Sequence, residues 1–133
     1  MLYLIDTQII IWFLLEDSKL SSAIYDRLTD DKNTIFVSQV SLYEIAIKQK
    51  IGKFPELSEP MDKLIELIEK IDFRILSIKN KHIVAYDSIH LFDNHKDPFD
   101  RLIIATALSE NLTIISADEK FKLYLPGIQL IEA

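Results

Sequence analysis

Cysteine is absent from the 133 residues of the chain. That removes disulfides, thiolate metal ligands and cysteine nucleophiles together, and it accords with a cytoplasmic location. Only 2 glycines and 4 prolines are present, which leaves little material for long irregular segments. Cations are the minority charge: 15 Lys and Arg against 21 Asp and Glu give a formal charge of −6. This balance argues against a generally basic surface for nucleic acid, because phosphate contacts need cations. Divalent metals or a local basic patch would reverse that argument at one place. Long apolar runs are also missing. "MLYLIDTQIIIWFLL" comes nearest, but Asp6 interrupts it, no basic segment precedes it and it is too short to cross a bilayer. Neither a membrane association nor a secretory leader is expected.

Hydrophobic residues make up 49% of the chain and charged residues 27%, the balance of a folded domain and not of a disordered chain. The length suits one domain spanning residues 1–133, which buries roughly two thirds of its unfolded surface. "LYLI" (Leu2 to Ile5) reads as a buried strand, and Thr7 to Leu15 as a helix. Ser21 or Ser22 caps a second helix ending near Asp30 and Asp31. "TIFVS" (Thr34 to Ser38) is the second strand, and "SLYEIAIKQKIGK" is a helix stopped by Gly52. "PMDKLIELIEKI" starts at Pro60 and carries Leu64, Leu67, Ile68 and Ile71 at helical spacing. "FRILSI" alternates like a strand, and "KNKHIVAYDSIHLF" reads as helical. Asp97 to Asn111 forms a helix, "LTIIS" a strand, "DEKFKLY" a short helix and "IQLIEA" a last strand. Strands alternating with helices predict a parallel α/β sheet covered on both faces.

Four acids stand at the joints of this pattern. Asp6 closes the first strand, Glu44 lies in the helix after the second, Asp100 lies in the helix before the fourth, and Asp118 follows the fourth strand by two residues. Each has a plain structural reading. Asp6 suits the N-cap of the helix beginning at Thr7. "SLYE" and "SADE" both match a capping box. In "DPFD", Asp97 suits the cap, Pro98 the first helical position and Asp100 the third, where the helix dipole favours a carboxylate. Together, however, these helix starts belong at the carboxyl edge of a parallel sheet, where such folds bind ligands. Crowded carboxylates repel, and a hard cation with oxygen ligands, Mg²⁺ or Mn²⁺, relieves that repulsion. With no cysteine and with His82, His90 and His95 in one stretch, a zinc site is not expected.

"LIDTQIIIWFL", "VSLYEIAIK", "DPFDRLIIATAL" and "IISAD" resemble the successive motifs of the PIN-domain ribonucleases, and among them the VapC-type toxins of toxin–antitoxin pairs. The resemblance covers essentially the whole chain, including the spacing of its motifs. It implies a three-layer α/β/α sandwich with a five-stranded parallel sheet of order 3-2-1-4-5, and an acidic metal site that cleaves RNA to leave a 5′-phosphate and a 3′-hydroxyl. Carried over by position, Asp6, Glu44, Asp100 and Asp118 match the four family acids. Thr7 and Ser116 match the hydroxyl positions, with serine in place of the more usual threonine at Ser116. Asp97 belongs to a subgroup pattern and is read as a cap first, with an outer role at the site second. The resemblance also implies a small antitoxin partner and a homodimer.

The mechanism expected from this reading is hydrolysis of an RNA phosphodiester, with metal held by the four acids and oriented by Thr7 and Ser116. Lys48, Lys50, Lys53 and Arg101 are candidates for the RNA backbone; for the lysines the competing reading is an answer to the helix dipole. Trp12 and Tyr43 are read as packing residues before stacking platforms. Two rivals compete: a PIN fold that only binds, and a receiver-type signalling domain. The receiver needs an aspartate at the end of its third strand, and "FRILSIKN" offers none.

Overall fold

Side-chain alternation along short apolar strands decides the layering. In β1 (Leu2–Ile5), Tyr3 and Ile5 turn to one face and Leu4 to the other. Ile35 and Val37 of β2 (Thr34–Ser38) join the first face, together with Ile115 of β4 (Thr113–Ser116), while Ile114 joins Leu4. Both faces are therefore apolar, and each must be covered by helices. The computed structural model, which describes residues 1–133, shows this. One core cluster holds 16 buried residues and the other 10, so the sheet lies between two unequal cores.

The larger core is covered by α1 (Thr7–Leu14), α2 (Ser22–Thr29) and α4 (Met61–Lys70) through Ile9, Ile24, Leu28, Leu64 and Ile68. The smaller is covered by α6 (Pro98–Glu110) and a 3₁₀ turn (Glu119–Tyr124) through Ile103, Ile104, Ala107 and Phe121. α3 (Gln39–Lys50) sends Val40 to one core and Leu42 and Ile45 to the other. α4 shows how spacing sets burial. Leu64 and Ile68, four apart, are buried, while Leu67 turns outward and stays exposed. Truncating Ile68 to alanine would cost about 2–5 kcal/mol. β3 (Arg74–Leu76) is shorter than the apolar run suggests, α5 (Asn80–Tyr86) follows it, and β5 (Gln129–Glu132) ends the sheet. No helix is long and apolar enough to cross a membrane.

All strand pairs are parallel and the order is β3-β2-β1-β4-β5, the expected arrangement. It differs from the 2-1-3-4-5 order of receiver domains, which removes that rival. Strand order reverses at β1, whose neighbours are β2 and β4. Register aligns Ile5 with Val37 on one side and Ile115 on the other. The next residues in each strand's direction are Asp6, Ser38 and Ser116, so three polar side chains stand in a row at the carboxyl edge, at the switch point.

Local signals end the helices that frame this edge. Ser21 and Asp97 cap α2 and α6 through side-chain acceptance of backbone N–H groups. Gly52 follows α3 at φ 76, a left-handed position that glycine takes without steric cost. The "SLYE" box does not form: α3 begins three residues earlier than that box would start it, capped by Ser38, whose Oγ accepts from the Val40 N–H at 3.1 Å. Ser41 and Glu44 thus lie inside the helix, on one face, and are free for other work.

Candidate active site

Asp6 performs the capping role and occupies the cleft floor as well. Its extended backbone starts α1, and Oδ1 accepts the Ile9 N–H at 3.0 Å. Oδ2 accepts a hydrogen bond from the Ser116 hydroxyl across the sheet edge. The residue is 4% exposed. Burial raises its pKa from an ordinary value of 3.8 to about 6. The Ser116 and Ile9 hydrogen bonds pull against that rise, while the charges of Asp118 and Glu44 push with it. Desolvation wins over a cap and a hydroxyl together.

Glu44 is reached from α1. The Thr7 hydroxyl donates to Glu44 Oε1 at 2.7 Å and lies 3.0 Å from the Ser41 hydroxyl. Lys48, one turn further along α3, pairs with Glu44 Oε2 at 2.9 Å. This carboxylate therefore has a cation of its own.

Asp100 sits in the first turn of α6. Asp97 caps that helix, accepting from the Phe99 N–H at 2.9 Å and the Asp100 N–H at 3.4 Å. Burial pushes the Asp100 carboxyl up to about 6; the His95 hydrogen bond lowers it and the Asp97 charge raises it. Its Oδ2 lies 2.9 Å from His95 Nε2, and His95 Nδ1 lies 2.7 Å from the Tyr124 hydroxyl. Asp118 caps the 3₁₀ turn by accepting from the Lys120 N–H at 2.9 Å, and its own N–H donates to Ser116 Oγ at 3.0 Å. Ser116 thereby ties Asp118 to Asp6. The "SADE" box is replaced by this aspartate cap.

All four acids line one cleft of about 350 Å³, together with Thr7, Gln8, Trp12, Lys48, Asp97 and Ala117. Potential ligand atoms of His95, Asp100 and Asp118 lie within 4.8 Å of one another. A metal fits this set on chemical grounds. The donors are mostly hard carboxylate oxygens, and two of the carboxyls are driven towards protonation by burial and by their neighbours' charges. A divalent cation relieves that repulsion directly.

Other expected site residues fall elsewhere. Arg101 faces away from the cleft: it is 6% exposed, and its guanidinium donates to the carbonyls of His95 at 2.6 Å and Lys96 at 3.1 Å and to the Tyr86 hydroxyl at 3.0 Å. Successive helical residues point about 100° apart, so a neighbour of Asp100 cannot share its direction. Lys48 lines the cleft, whereas Lys50 and Lys53 do not, because only the i+4 position shares a face with Glu44. Tyr43 is not a core residue. It is 61% exposed and meets Phe99 edge-on at 6.0 Å between ring centroids. Trp12 packs partly against the larger core while lining the cleft. Sequence reasoning missed His95, Ser41 and Gln8. The i,i+3 spacing of Ser41 and Glu44 was a usable signal; the approach of Tyr124 to His95 was not.

The fold is matched by comparison with known proteins. The family model described as PIN domain matches residues 3–124. No curated protein matches the chain. Among solved structures, a chain of DNA-bound VapBC from Salmonella typhimurium superposes with a TM-score of 0.70 at 18% identity, covering 99% of this chain and 98% of that one. VapBC-1 from nontypeable Haemophilus influenzae gives 0.68 at 21% identity, over 99% and 98%. FitAcB from Neisseria gonorrhoeae gives 0.66 at 20%, over 98% and 96%. These identities establish a shared fold, and the family model covers most of the chain: it belongs to the PIN-domain family.

Proposed function

We propose that the chain is a Mg²⁺- or Mn²⁺-dependent endoribonuclease and the toxin of a toxin–antitoxin pair. The observation that carries this reading is the convergence of Asp6, Glu44, Asp100 and Asp118 on one cleft at the sheet's switch point. The toxin assignment draws on the fold shared with chains of VapBC structures.

Asp6, Glu44, Asp100 and Asp118 would hold the metal, with Lys48 competing for Glu44. The bound ion supplies Lewis-acid activation of the phosphodiester and lowers the pKa of water. The protein's own groups do the rest. Ser116 fixes the rotamer of Asp6 by donating to one oxygen, which leaves lone pairs directed into the cleft. Thr7 orients Glu44 in the same way. Lys48 is the cation of the cleft best placed to meet an RNA phosphate, and it offsets the overall negative charge where the backbone must approach. The exposed ring of Tyr43 and the half-buried Trp12 offer faces for bases. The chain acts as one domain over residues 1–133, in the cytoplasm, as a homodimer with an antitoxin bound near the cleft.

Purified full-length protein should cut RNA only with Mg²⁺ or Mn²⁺ present, leaving 5′-phosphates and 3′-hydroxyls, and Asp6→Asn should abolish the cut. Cleavage that survives both EDTA and Asp6→Asn would overturn the reading.

A further inference from the structure

His95 stands at the edge of the acidic cleft with both ring nitrogens engaged. Nε2 meets Asp100 Oδ2 at 2.9 Å, and Nδ1 meets the Tyr124 hydroxyl at 2.7 Å. The ring is 2% exposed. By distance alone it belongs to a trio of possible metal ligands with Asp100 and Asp118. Its hydrogen bonds say otherwise. Nε2 can ligate a metal only through a lone pair, and a lone pair facing a carboxylate oxygen at this distance is repulsive. A proton on Nε2 makes the contact a hydrogen bond and removes the lone pair.

The surroundings select that proton. With Nε2–H donating to Asp100, neutral imidazole has its free lone pair on Nδ1, where the Tyr124 O–H donates. The phenol lies in the hydrogen-bonding range of Nδ1, so its proton is available to the imidazole lone pair on that side. Arg101 also holds the carbonyls of His95 and Lys96, so it fixes the backbone that presents the ring. One buried arginine thus anchors the segment carrying the histidine, while Tyr124 sets its tautomer.

We propose that His95 is a positioning residue and not a metal ligand: held as the Nε2–H tautomer by Tyr124, on backbone that Arg101 fixes, it occupies one oxygen of Asp100 and leaves the other free for a metal. Arg101 and Tyr124 act through it. The proposal deepens the metal-dependent reading above and rests on it for the identity of the ion.

Imidazole ¹⁵N spectroscopy on the full-length protein tests it, with Mg²⁺ alone as the probe. His95 should show Nε2–H before Mg²⁺ is added and keep it afterwards. His95→Leu should weaken Mg²⁺ binding by roughly 10- to 100-fold, the range for outer contacts to metal ligands. His95→Gln, whose amide N–H can replace Nε2–H, should fall between wild type and the leucine variant. If the buried leucine prevents folding, Tyr124→Phe keeps the ring packing and should still weaken Mg²⁺ binding. A proton on Nδ1, a tautomer change when Mg²⁺ is added, or unchanged Mg²⁺ affinity in a folded His95→Leu or Tyr124→Phe protein would overturn the proposal. Absence of any Mg²⁺ binding by the wild type would instead overturn the metal-dependent reading, while the metal-free spectrum would still report on the tautomer.

Discussion

Glu44 and Asp100 line the same cleft from different helices, and they are held in opposite ways. Glu44 shares its two oxygens between a hydroxyl and an ammonium: Thr7 at 2.7 Å and Lys48 at 2.9 Å. Asp100 has a histidine in place of a lysine, and its closest charged company includes Asp97 and Asp118. Burial then pushes its carboxyl up to about 6. One side of the cleft carries its own countercharge, and the other side waits for one. The stabilisation a metal brings should therefore come chiefly from the Asp6 and Asp100 side.

The largest effect expected from this contrast separates function from stability. Asp100→Asn should cut activity by more than the roughly 100-fold attributable to outer contacts, because the proposed function makes Asp100 a ligand itself. The same change should stabilise the metal-free protein, since an amide keeps one oxygen for His95 and sheds a disfavoured charge. Holding the carboxyl at about 6 against its ordinary 3.8 is worth about 3 kcal/mol at full value, and solvent screening of this half-buried group cuts that to about 1 kcal/mol. The melting temperature should rise by about 3–5 °C at pH 8 without metal. Glu44→Gln should give no such rise, because it strands Lys48. Calorimetry of both variants in EDTA checks the pair, and equal shifts would erase the contrast.

This asymmetry was only partly legible in the sequence. The alternation of strands and helices, the polar residue closing each central strand and the "DPFD" helix start are local signals, and the parallel α/β sheet with acids at its edge followed from them, while the strand order came from the family resemblance. Direction around a helix was harder to read. Arg101 adjoins Asp100 and Tyr43 adjoins Glu44, yet one neighbour is buried away from the cleft and the other is exposed outside it. Adjacency in sequence turns a side chain about 100° away on a helix. His95 was out of reach for a different reason. Its meaning depends on Tyr124, 29 residues later, which arrives through the 3₁₀ turn after β4. Likewise the "SLYE" box competed with Ser38, and the end of β2 decided for Ser38.

Protons should sharpen the comparison next. Asp6 and Asp100 both titrate near 6 in the folded protein, above the ordinary 3.8. A raised folded pKa means that the native state takes up protons before the unfolded chain does. Metal-free stability from these two groups is therefore lowest above pH 6 and recovers as the pH falls from about 6 towards 4. Mg²⁺ binding runs the other way, because each bound proton must leave. Below pH 6, affinity should fall by about tenfold per pH unit for each proton displaced. Titration calorimetry at pH 7.5, 6.0 and 5.0 measures this, and a flat profile would mean that neither acid binds the ion.

The smallest effect concerns the countercharge itself. Lys48 and a metal compete for Glu44, so Lys48→Met should tighten Mg²⁺ binding. The pair is an i,i+4 contact between a partly exposed lysine and a buried glutamate, worth about 1 kcal/mol, which limits the gain to about fivefold. Substrate binding should move in the opposite direction, with KM for RNA rising as the cleft loses the cation proposed to meet the phosphate. That opposition distinguishes a working lysine from one that only answers the dipole at the end of α3, whose removal would alter stability and leave both constants alone.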